Sequence, residues 1–353
     1  MKVLVAMSGG VDSAVCAYLV KQEHEATGAT LRLHNAGNDT HGEENSCCTT
    51  QDILDAKSVC DNIGIDHKVY EFGEQFRDIV IADFINSYIN GATPNPCVLC
   101  NRKVKFEELI KIATENGYDA IATGHYARIE KSENGRYLLK KALDETKDQS
   151  YVLYALNQYQ LAHTLFPLGE MTKAEARDLA EKQGFVNARK HDSQDVCFIP
   201  DGDYCSFIER ETNRKYERGE FLDLNGNILG THNGIIKYTI GQRKGLGIAF
   251  GEPMYVLKKD PINNTVTLGR NTDLFGKALI VRDVNLISID KLEEKMRVKA
   301  RIRYNQKEQP ATIEPLADGK IKLVFDEPQR AITPGQSAVF YDGDTVVGGG
   351  IID

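Results

Sequence analysis

The feature that most constrains the fold lies near the N-terminus, where a glycine turn joins a short apolar run to a helical pattern. Residues 3–5 predict a strand, and the apolar periodicity of residues 14–20 predicts a helix. Between them lies a segment that we call the phosphate loop, Ala6-Met7-Ser8-Gly9-Gly10-Val11-Asp12-Ser13. Unpaired backbone N–H groups and the positive end of the helix dipole meet at such a turn and favour a bound phosphate. The alternative is a turn that only connects strand and helix.

Two common nucleotide-binding patterns are absent from this loop. No lysine follows the glycines, as G-x-x-x-x-G-K-[ST] requires, and the glycine spacing does not match G-x-G-x-x-G. Gly9 and Gly10 nevertheless permit close backbone approach to an anion, and Ser8 and Ser13 supply hydroxyl donors. Asp12 is suited either to orienting the loop or to holding a Mg²⁺ ion that bridges to phosphate. A phosphate site of another class is therefore expected.

Length and composition predict a chain of several domains. The chain has 353 residues, of which 41% are hydrophobic and 27% charged, with a net charge of −8. This charge argues against a generally basic nucleic-acid coat, so an RNA partner would need a local basic face. No signal peptide and no apolar run of membrane-spanning length is evident. With eight cysteines and no export signal, we expect a cytoplasmic protein without a membrane partner, its thiols reduced.

The first half alternates strand-like runs with helical patterns. Strands are predicted at residues 3–6, 29–33, 67–72 and 120–123. Residues 51–64 predict a helix, Phe76, Val80, Phe84 and Tyr88 form an apolar stripe on the next one, and Thr172 with Glu175 forms a capping box before another. This βαβα order predicts a parallel sheet covered by helices on both faces, hence an α/β domain.

After about residue 201 the pattern changes to short runs separated by turn signals. Asn225-Gly226, Asn233-Gly234, Asn263-Asn264, Asp318-Gly319 and Asp342-Gly343 recur between apolar segments, which is typical of antiparallel hairpins. We therefore predict an α/β domain at residues 1–200, a small central β-rich domain at 201–271 and a C-terminal β-barrel-like domain at 272–353.

Three cysteines stand out by their surroundings. Cys97 and Cys100 form a C-x-x-C pattern in a proline-rich loop just before a helix predicted at residues 104–113, and Cys197 follows the polar segment 191–195. Thiols near a helix N-terminus have their thiolate form favoured. The pattern alone leaves zinc, an iron–sulfur cluster, thiol redox chemistry and a plain turn open. The other thiols are read as core residues (Cys16, Cys60), as a residue without a motif (Cys205) or as an unexplained pair (Cys47, Cys48).

Several motifs, taken in order, resemble one family over nearly the whole chain. They are the phosphate loop, Thr93-Pro94-Asn95-Pro96 with Cys100-Asn101, Ala122-Thr123-Gly124-His125-Tyr126, Lys147-Asp148-Gln149-Ser150-Tyr151, the segment 192–198, the segment 238–247, Arg303-Tyr304 and Pro334-Gly335-Gln336. This ordered set resembles the tRNA-specific 2-thiouridylases of the N-type ATP pyrophosphatase superfamily. The resemblance implies a Rossmann-like PP-loop ATPase domain followed by two smaller β-rich domains.

The resemblance also implies a reaction and its cofactors. ATP, with Mg²⁺, would lie on the phosphate loop, and Leu31 and Gly124 would line its adenosine. The C2 oxygen of the wobble uridine would attack the α-phosphate, releasing pyrophosphate, and sulfur would then displace AMP to give 2-thiouridine. The implied target-base residues are Asn95, Pro96 and Cys97. Cys197 would carry a persulfide from a sulfur donor, and Cys100 would complete the exchange by forming a disulfide with it.

The sequence departs from the family pattern at Cys97, where many members carry an aspartate. A thiol does not replace a carboxylate as an acid–base group, because its pKa and geometry differ. This departure raises a second mechanism, in which Cys97, Cys100 and Cys197 hold a [4Fe–4S] cluster that binds sulfide. A persulfide donor and a sulfide source thus remain alternative sulfur partners.

The resemblance further implies tRNA as the macromolecular partner. Family tRNA contacts match His125, Lys147, Asp148, Gln149, Arg303, Tyr304 and Gln336. Such side chains offer charge for phosphates, hydrogen bonds for base edges and surfaces for stacking. Two rival functions stay open: a nitrogen-transferring ligase or synthetase of the same superfamily, and a non-catalytic nucleotide- and RNA-binding module. Neither rival needs the pair Cys100 and Cys197.

Overall fold

The N-terminal region is built on a parallel sheet. The computed structural model describes residues 1–33, 49–190, 196–248 and 251–353. Numbered along the chain, the strands of this sheet are β1 (Lys2–Ala6), β2 (Glu25–Arg32), β3 (His67–Glu71), β4 (Ala120–Ala122) and β7 (Thr164–Leu165). They lie in the order β3-β2-β1-β4-β7, and each neighbouring pair is parallel. The predicted parallel sheet is confirmed.

Helices connect these strands. The α-helices of the described residues are α1 (Val11–Glu23), α2 (Thr50–Ile63), α3 (Gly73–Phe76), α4 (Ala82–Ile89), α5 (Pro96–Leu99), α6 (Leu109–Glu115), α7 (Ser150–Leu153), α8 (Gln158–Ala162), α9 (Lys173–Lys182) and α10 (Tyr204–Thr212). Two wider helical segments of the π type, Arg77–Ile81 and Cys100–Glu108, join α3 to α4 and α5 to α6. The chain from 96 to 115 is therefore one continuous helical stretch.

Local signals place the helix ends where the sequence predicts them. A capping box between Thr49 and Asp52 opens α2, and Gly64 closes it in the left-handed conformation at φ 70°. The capping box of Thr172 and Glu175 opens α9 in the same way. The predicted stripe Phe76, Val80, Phe84 and Tyr88 is buried. Helix α10 was not predicted, although its start is capped by Asp203, whose side chain accepts from the backbone N–H of Ser206 at 3.0 Å.

The middle of the chain contains a four-stranded sheet. Its strands are β8 (Gly219–Leu222), β9 (Ile228–His232), β10 (Tyr255–Asp260) and β11 (Thr265–Gly269), in the order β10-β11-β8-β9. The turns predicted at Asn225-Gly226 and Asn263-Asn264 separate antiparallel pairs, and Gly226 and Asn264 adopt the positive φ that such turns require. The central part is therefore β-rich, as predicted.

The C-terminal strands form a closed barrel. They are β12 (Phe275–Leu286), β13 (Met296–Arg301), β14 (Gln309–Pro315), β15 (Ile321–Arg330), β16 (Ser337–Asp342) and β17 (Thr345–Ile352). The order β12-β15-β14-β13-β16-β17 returns on itself because β12 also pairs with β17. Closure leaves no free edge among these six strands and gives them an apolar interior.

A hairpin from the N-terminal region extends the barrel sheet. Strands β5 (Ala127–Lys131) and β6 (Tyr137–Lys141) pair with each other, and β6 adds to β17 through Lys140 and Thr345. This connection was not predicted, because the pairing partners are some 200 residues apart and carry no local signal. It anchors the barrel to the region that contains the phosphate loop.

An ion pair between Asp148 and Arg301 strengthens the same junction. Asp148 is buried, and its carboxylate accepts hydrogen bonds from the backbone of Ala142 and Ser150, from the Ser150 hydroxyl and from Arg301 at 2.9 Å. Nearby, the hydroxyl of Tyr151 donates to the carbonyl of Ser337 at 2.8 Å. These bonds join the loop after β6 to β13 and β16 of the barrel.

Two apolar clusters cover the N-terminal sheet. One contains residues of β2, α4, the 96–115 stretch and the central sheet, and the other packs α1 and α9 against the opposite face. Side chains from different parts of the chain thus share one core, which holds the sites on their surfaces in register. Within the residues that the structure describes, none of the helices combines the length and apolar character needed to cross a bilayer.

Substitution of Arg301 tests the buried junction. Arg301→Met should lower the free energy of unfolding by about 3 kcal/mol, because it leaves the carboxylate of Asp148 buried without its cation. The measurement is urea-induced unfolding followed by circular dichroism. Arg297→Met, on the same strand but in an exposed pair with Asp326, is the control and should change stability little. Equal effects of the two substitutions would contradict this assignment.

Candidate active site

The phosphate loop connects the end of β1 to the start of α1. Gly9 has a φ of +74°, which allows the chain to turn so that α1 begins at Val11. Inside the loop, the hydroxyl of Ser13 accepts from the backbone N–H of Ser8 at 3.2 Å and donates to the carbonyl of Gly10 at 2.9 Å. The serines predicted as phosphate donors therefore also hold the shape of the loop.

Residues far along the chain support the loop from behind. The carbonyl of Gly9 accepts from the side-chain amide of Asn187 at 3.0 Å and from Lys190 at 3.3 Å. Lys190 also pairs with Asp52 at 2.6 Å and Asp55 at 2.8 Å in the first turns of α2. Burial alone would lower the pKa of Lys190, but its hydrogen bonds to the two carboxylates raise it above the ordinary value. The ammonium therefore stays charged beneath the loop.

Asp12 is already engaged by a cation. Its carboxylate lies 2.8 Å from the Nζ atom of Lys173 at both oxygens and accepts from the hydroxyl of Tyr126 at 2.8 Å. About a third of the Asp12 side chain remains accessible, whereas that of Lys173 is nearly enclosed. Asp12 is also one of the residues that line the cavity described next.

A cavity of about 200 Å³ opens over the loop at the carboxyl ends of β1, β2 and β4. Predicted nucleotide-binding residues form much of its wall, namely Ala6, Met7, Ser8, Asp12, Ser13, Leu31 and Gly124. Ligands of open α/β sheets bind at such strand ends. The cavity lining does not include Gly9, Gly10 or Val11, which lie at the loop's turn and at the start of α1. Further wall residues that the sequence did not point to are Ala29, Leu33, Lys105 and Thr123.

Gly124 touches the backbone of the phosphate loop. A Cβ atom at this position would lie 2.7 Å from the carbonyl carbon of Asp12 and 2.9 Å from the amide nitrogen of Ser13. Such distances leave no room for a side chain, so glycine is required for β4 to approach α1. The contact brings the two predicted nucleotide-binding segments to one wall.

His125 lies on the cavity wall as an uncharged group. Its Nδ1 atom is 2.7 Å from the Thr123 hydroxyl, and its ring packs near Phe106 and Phe166. Burial, together with a smaller contribution from the charge of Lys105, lowers the pKa of His125 from 6.5 to about 3. Its predicted contact with tRNA would therefore be a neutral one.

The loop that carries the predicted target-base residues leads directly into a helix. Asn95 is the N-cap of α5 and Pro96 its first residue, so the helix begins earlier than the predicted residue 104. Cys97 is exposed in the first turn, while Cys100 is buried one turn later. The helix starts early because the proline that ends the extended loop also has the φ of a first helical residue.

Cys197 approaches the same core as Cys100. Its side chain is partly buried and packs against the apolar cluster that contains Cys100. The next residue, Phe198, packs edge-on against Phe84 and Phe76. The two thiols predicted to react thus border one cluster. Cys47, Cys48 and the polar segment 191–195 lie outside the described residues.

The predicted tRNA contacts fall into two groups. Gln149 accepts from the backbone N–H of Tyr126 at 2.9 Å and lines the cavity over the phosphate loop, as His125 does. Asp148 is buried in its ion pair, and Lys147 is partly exposed beside it. Exposure at these positions therefore differs widely, and their contact with tRNA stays a prediction.

The C-terminal members of that set surround the target-base loop and the Asp148 turn. Gln336 donates to the carbonyl of Thr93 at 2.9 Å, and Arg303 donates to the carbonyl of Ala331 at 2.9 Å. The pKa of Arg303 is lowered, chiefly by burial. Tyr304 is the more accessible residue, with 40% of its surface exposed. Gln336 thus connects the barrel to the N-terminal region, Arg303 bonds within the C-terminal region, and Tyr304 remains accessible to a ligand.

Sequence reasoning missed Lys173, Lys190 and Asn187, the residues that hold the phosphate loop. The capping box located the start of α9, but nothing local shows that the first residue of this helix reaches Asp12. The separation of Lys173 from Asp12 is 161 residues. Such partners become apparent only from the tertiary structure.

Three family models match consecutive parts of the chain. Residues 1–201 match the model described as the tRNA methyl transferase HUP domain, residues 205–270 the tRNA methyl transferase PRC-barrel domain, and residues 276–352 the aminomethyltransferase beta-barrel domain. These matches agree with an α/β region followed by two β-rich regions.

Relatives of known name match the whole chain. A tRNA-specific 2-thiouridylase MnmA of Clostridioides difficile is 52% identical over 100% of this chain and 98% of its own length. One from Acetivibrio thermocellus is 53% identical, over 99% of both chains. Among solved structures, the U34-tRNA thiolase NcsA from Methanococcus maripaludis with its [4Fe–4S] cluster is 21% identical, with a TM-score of 0.34 and coverage of 60% of this chain and 64% of that chain.

Alanine at Gly9 tests the loop geometry. A Cβ atom there would lie 2.4 Å from the backbone oxygen of Asp52, so Gly9→Ala should abolish nucleotide binding as well as lower stability. Gly64→Ala is the matched control: its φ of +70° is similar, but nothing lies within 4 Å. The control should lose about 1 kcal/mol from strain alone and keep nucleotide binding. Calorimetric titration with ATP and thermal unfolding measure the two effects. Normal binding by Gly9→Ala would refute the loop assignment.

The charge of His125 can be measured directly. Because its pKa lies at about 3 in the folded chain and 6.5 when unperturbed, the unfolded chain takes up this proton first as pH falls. We therefore expect its contribution to stability to be complete above pH 6.5 and to decline between 6.5 and 3. NMR titration of the imidazole, assigned with His125→Asn, should show no protonation near pH 6. A midpoint near 6.5 would contradict the neutral state.

Proposed function

Because the chain belongs to the tRNA-specific 2-thiouridylase family, we propose that it is an ATP-dependent sulfurtransferase, a tRNA-uridine 2-sulfurtransferase. Its substrate is the wobble uridine of tRNA and its product 2-thiouridine, with AMP and pyrophosphate released. The observation that carries the proposal is one helical stretch that bears Cys100 and lines the nucleotide cavity through Lys105. Cys100 and Lys105 are five residues apart on this stretch, so we place the activated base near the thiol.

The nucleotide step follows from the cavity. The phosphates of ATP would lie on the N–H groups of the phosphate loop and on Ser8 and Ser13, and the base against the apolar side chains of Ala29 and Leu31. The C2 oxygen of uridine then attacks the α-phosphorus, and the bond to pyrophosphate breaks. Adenylation thereby converts the C2 oxygen of uridine, which is a poor leaving group, into part of AMP, which is a good leaving group.

Mg²⁺ fits the carboxylate on the cavity wall. This ion is usually held by one or two carboxylates together with substrate phosphates, so a complete protein cage is not needed. Asp12 would be the protein ligand, through its accessible oxygen surface. Bound there, the ion would neutralise charge on the phosphates as pyrophosphate leaves.

The sulfur step uses the two thiols near the shared apolar cluster. The terminal sulfur of a persulfide on Cys197 attacks C2 of the adenylated base, and AMP departs. The thiolate of Cys100 then attacks the Sγ atom of Cys197, which releases 2-thiouridine and forms a Cys100–Cys197 disulfide. Two equivalents of an external thiol, which are themselves oxidised to a disulfide, return both cysteines to the reduced state, and a persulfide donor starts the next cycle.

The arrangement of the thiols does not fit the cluster alternative. Within the part of the chain that the structure describes, no three cysteine, histidine or carboxylate side chains are grouped to hold a metal. Cys97 is also exposed while Cys100 is buried. We therefore route no step through a cluster on Cys97, Cys100 and Cys197, and we place Cys97 with Asn95 and Pro96 in contact with the target base.

The proposed division of labour follows the three regions of the chain. Residues 1–200 would catalyse both steps, residues 201–271 would link the regions, and residues 272–353 would contact tRNA together with His125, Lys147, Asp148 and Gln149. Support comes from Arg303, Tyr304 and Gln336, which gather near the Asp148 turn and the target-base loop. The partners are thus tRNA and a persulfide donor.

Nucleoside analysis tests the function. The protein is incubated with ATP, Mg²⁺, a persulfide source and unmodified tRNA, and the digested nucleosides are separated by mass. We expect 2-thiouridine in amounts matched by AMP and pyrophosphate, and a loss of product of about 100-fold or more for Cys100→Ser and Cys197→Ser. Cys205→Ser, which alters another partly buried thiol, is the control and should retain activity.

Other outcomes identify the rival functions. A methylated nucleoside, suggested by the description of the matched family models, would replace the proposal by methyl transfer. Full activity of Cys197→Ser in forming another ATP-dependent product would favour a nitrogen-transferring ligase. No tRNA-dependent AMP or pyrophosphate would leave a non-catalytic binding module.

Anaerobic purification with iron and sulfide analysis completes the test, because a stoichiometric cluster needed for activity would overturn the persulfide relay.

A further inference from the structure

The pair between Lys173 and Asp12 joins the nucleotide cavity to a helix that does not line it. Lys173 is the first residue of α9, and its backbone N–H donates to the carboxylate of Asp144 at 3.1 Å. The capping box at Thr172 and Glu175 fixes the same turn. The lysine backbone is therefore anchored, and its side chain reaches Asp12 from a defined position.

Asp12 lines the cavity, whereas Lys173 and Tyr126 are not among its lining residues. The ammonium of Lys173 lies 2.8 Å from both carboxylate oxygens, and the hydroxyl of Tyr126 donates to one of them at 2.8 Å. The ammonium also lies 5.9 Å from the centre of the Tyr126 ring. Both partners are buried, at 8% and 2% exposure. Lys173 is thus placed to act on a ligand only through Asp12.

Electrostatics gives this pair a role beyond packing. A carboxylate beside a phosphate site repels its ligand, and the repulsion grows with the ligand's charge. ATP without metal carries roughly twice the negative charge of AMP, so the repulsion weakens the binding of ATP more than that of AMP. Paired with Lys173, Asp12 is formally neutral, and the loop N–H groups and the α1 dipole then determine the local field.

We propose that Lys173 is a positioning residue for the nucleotide: it neutralises and orients Asp12 so that the phosphate loop accepts a triphosphate. This inference rests on the proposed use of ATP. It requires that loss of Lys173 harm ATP binding more than AMP binding. It also requires that removal of the Asp12 charge repair that defect.

Equilibrium titration of ATP and AMP in EDTA tests the inference, because no metal ion can then replace the ammonium. Lys173→Met should weaken ATP binding about 10- to 100-fold and AMP binding less than about threefold. Lys173→Arg, which keeps the positive charge, should bind ATP and AMP with affinities close to those of the wild-type protein. Asp12→Asn combined with Lys173→Met should return ATP affinity to within about threefold of Asp12→Asn alone. Lys182→Met, at the exposed end of α9, controls for substitution in this helix.

Each other pattern overturns the proposal in a distinct way. Equal weakening of ATP and AMP by Lys173→Met, with a lower melting temperature, indicates a structural role only. A double variant as weak as Lys173→Met indicates that Lys173 binds phosphate directly. Unchanged ATP affinity in Lys173→Met shows that the pair has no role in binding. Failure of the wild-type protein to bind ATP even with Mg²⁺ contradicts the proposed function instead.

Discussion

The conformation of Gly9 is the constraint on which the candidate site depends. Its left-handed φ turns the chain between β1 and α1, and its missing side chain lets the backbone of α2 come within contact distance. Its carbonyl is held by Asn187 and Lys190, which come from the end of the N-terminal region. The loop is therefore shaped by local sequence and fixed by distant residues, so its N–H groups keep their directions before a ligand binds.

Direct backbone and side-chain contacts connect the barrel to the loop at residues 92–94, which precedes the candidate site. The turn at Gly335 approaches Ala92 and Thr93 so closely that a Cβ atom would lie 3.0 Å from either, and the backbone of Thr93 donates to the carbonyl of Pro334 at 2.9 Å. With the bond from Gln336, this contact positions the loop that leads to Cys97 and Cys100. A ligand that moves the barrel would therefore also move the start of the thiol-bearing helix.

The sequence predicts the elements whose signals are local. The strand, glycine turn and helix at residues 3–20, the capping box of α9 and the apolar stripe that runs from α3 into α4 all depend on residues that are close in the sequence. The ion pair of Lys173 with Asp12, the hairpin β5–β6 on the barrel and the burial of Asp148 depend on partners more than 100 residues away. Motifs could name Asp148 and His125 as functional positions, but charge state and exposure arise from packing.

The exposures of the thiols support the direction of the proposed relay. A sulfur donor can reach only a side chain at the surface, whereas a thiol that resolves a disulfide needs to meet its partner inside the site. Cys197 is partly exposed and is therefore the better acceptor of sulfur from a donor. Cys100 is buried and is therefore the better resolving thiol. Cys97 is exposed as well, but it lies in the first turn of the helix beside Asn95, where the target base is expected. Accessibility and position together thus support a different proposed role for each of the three thiols.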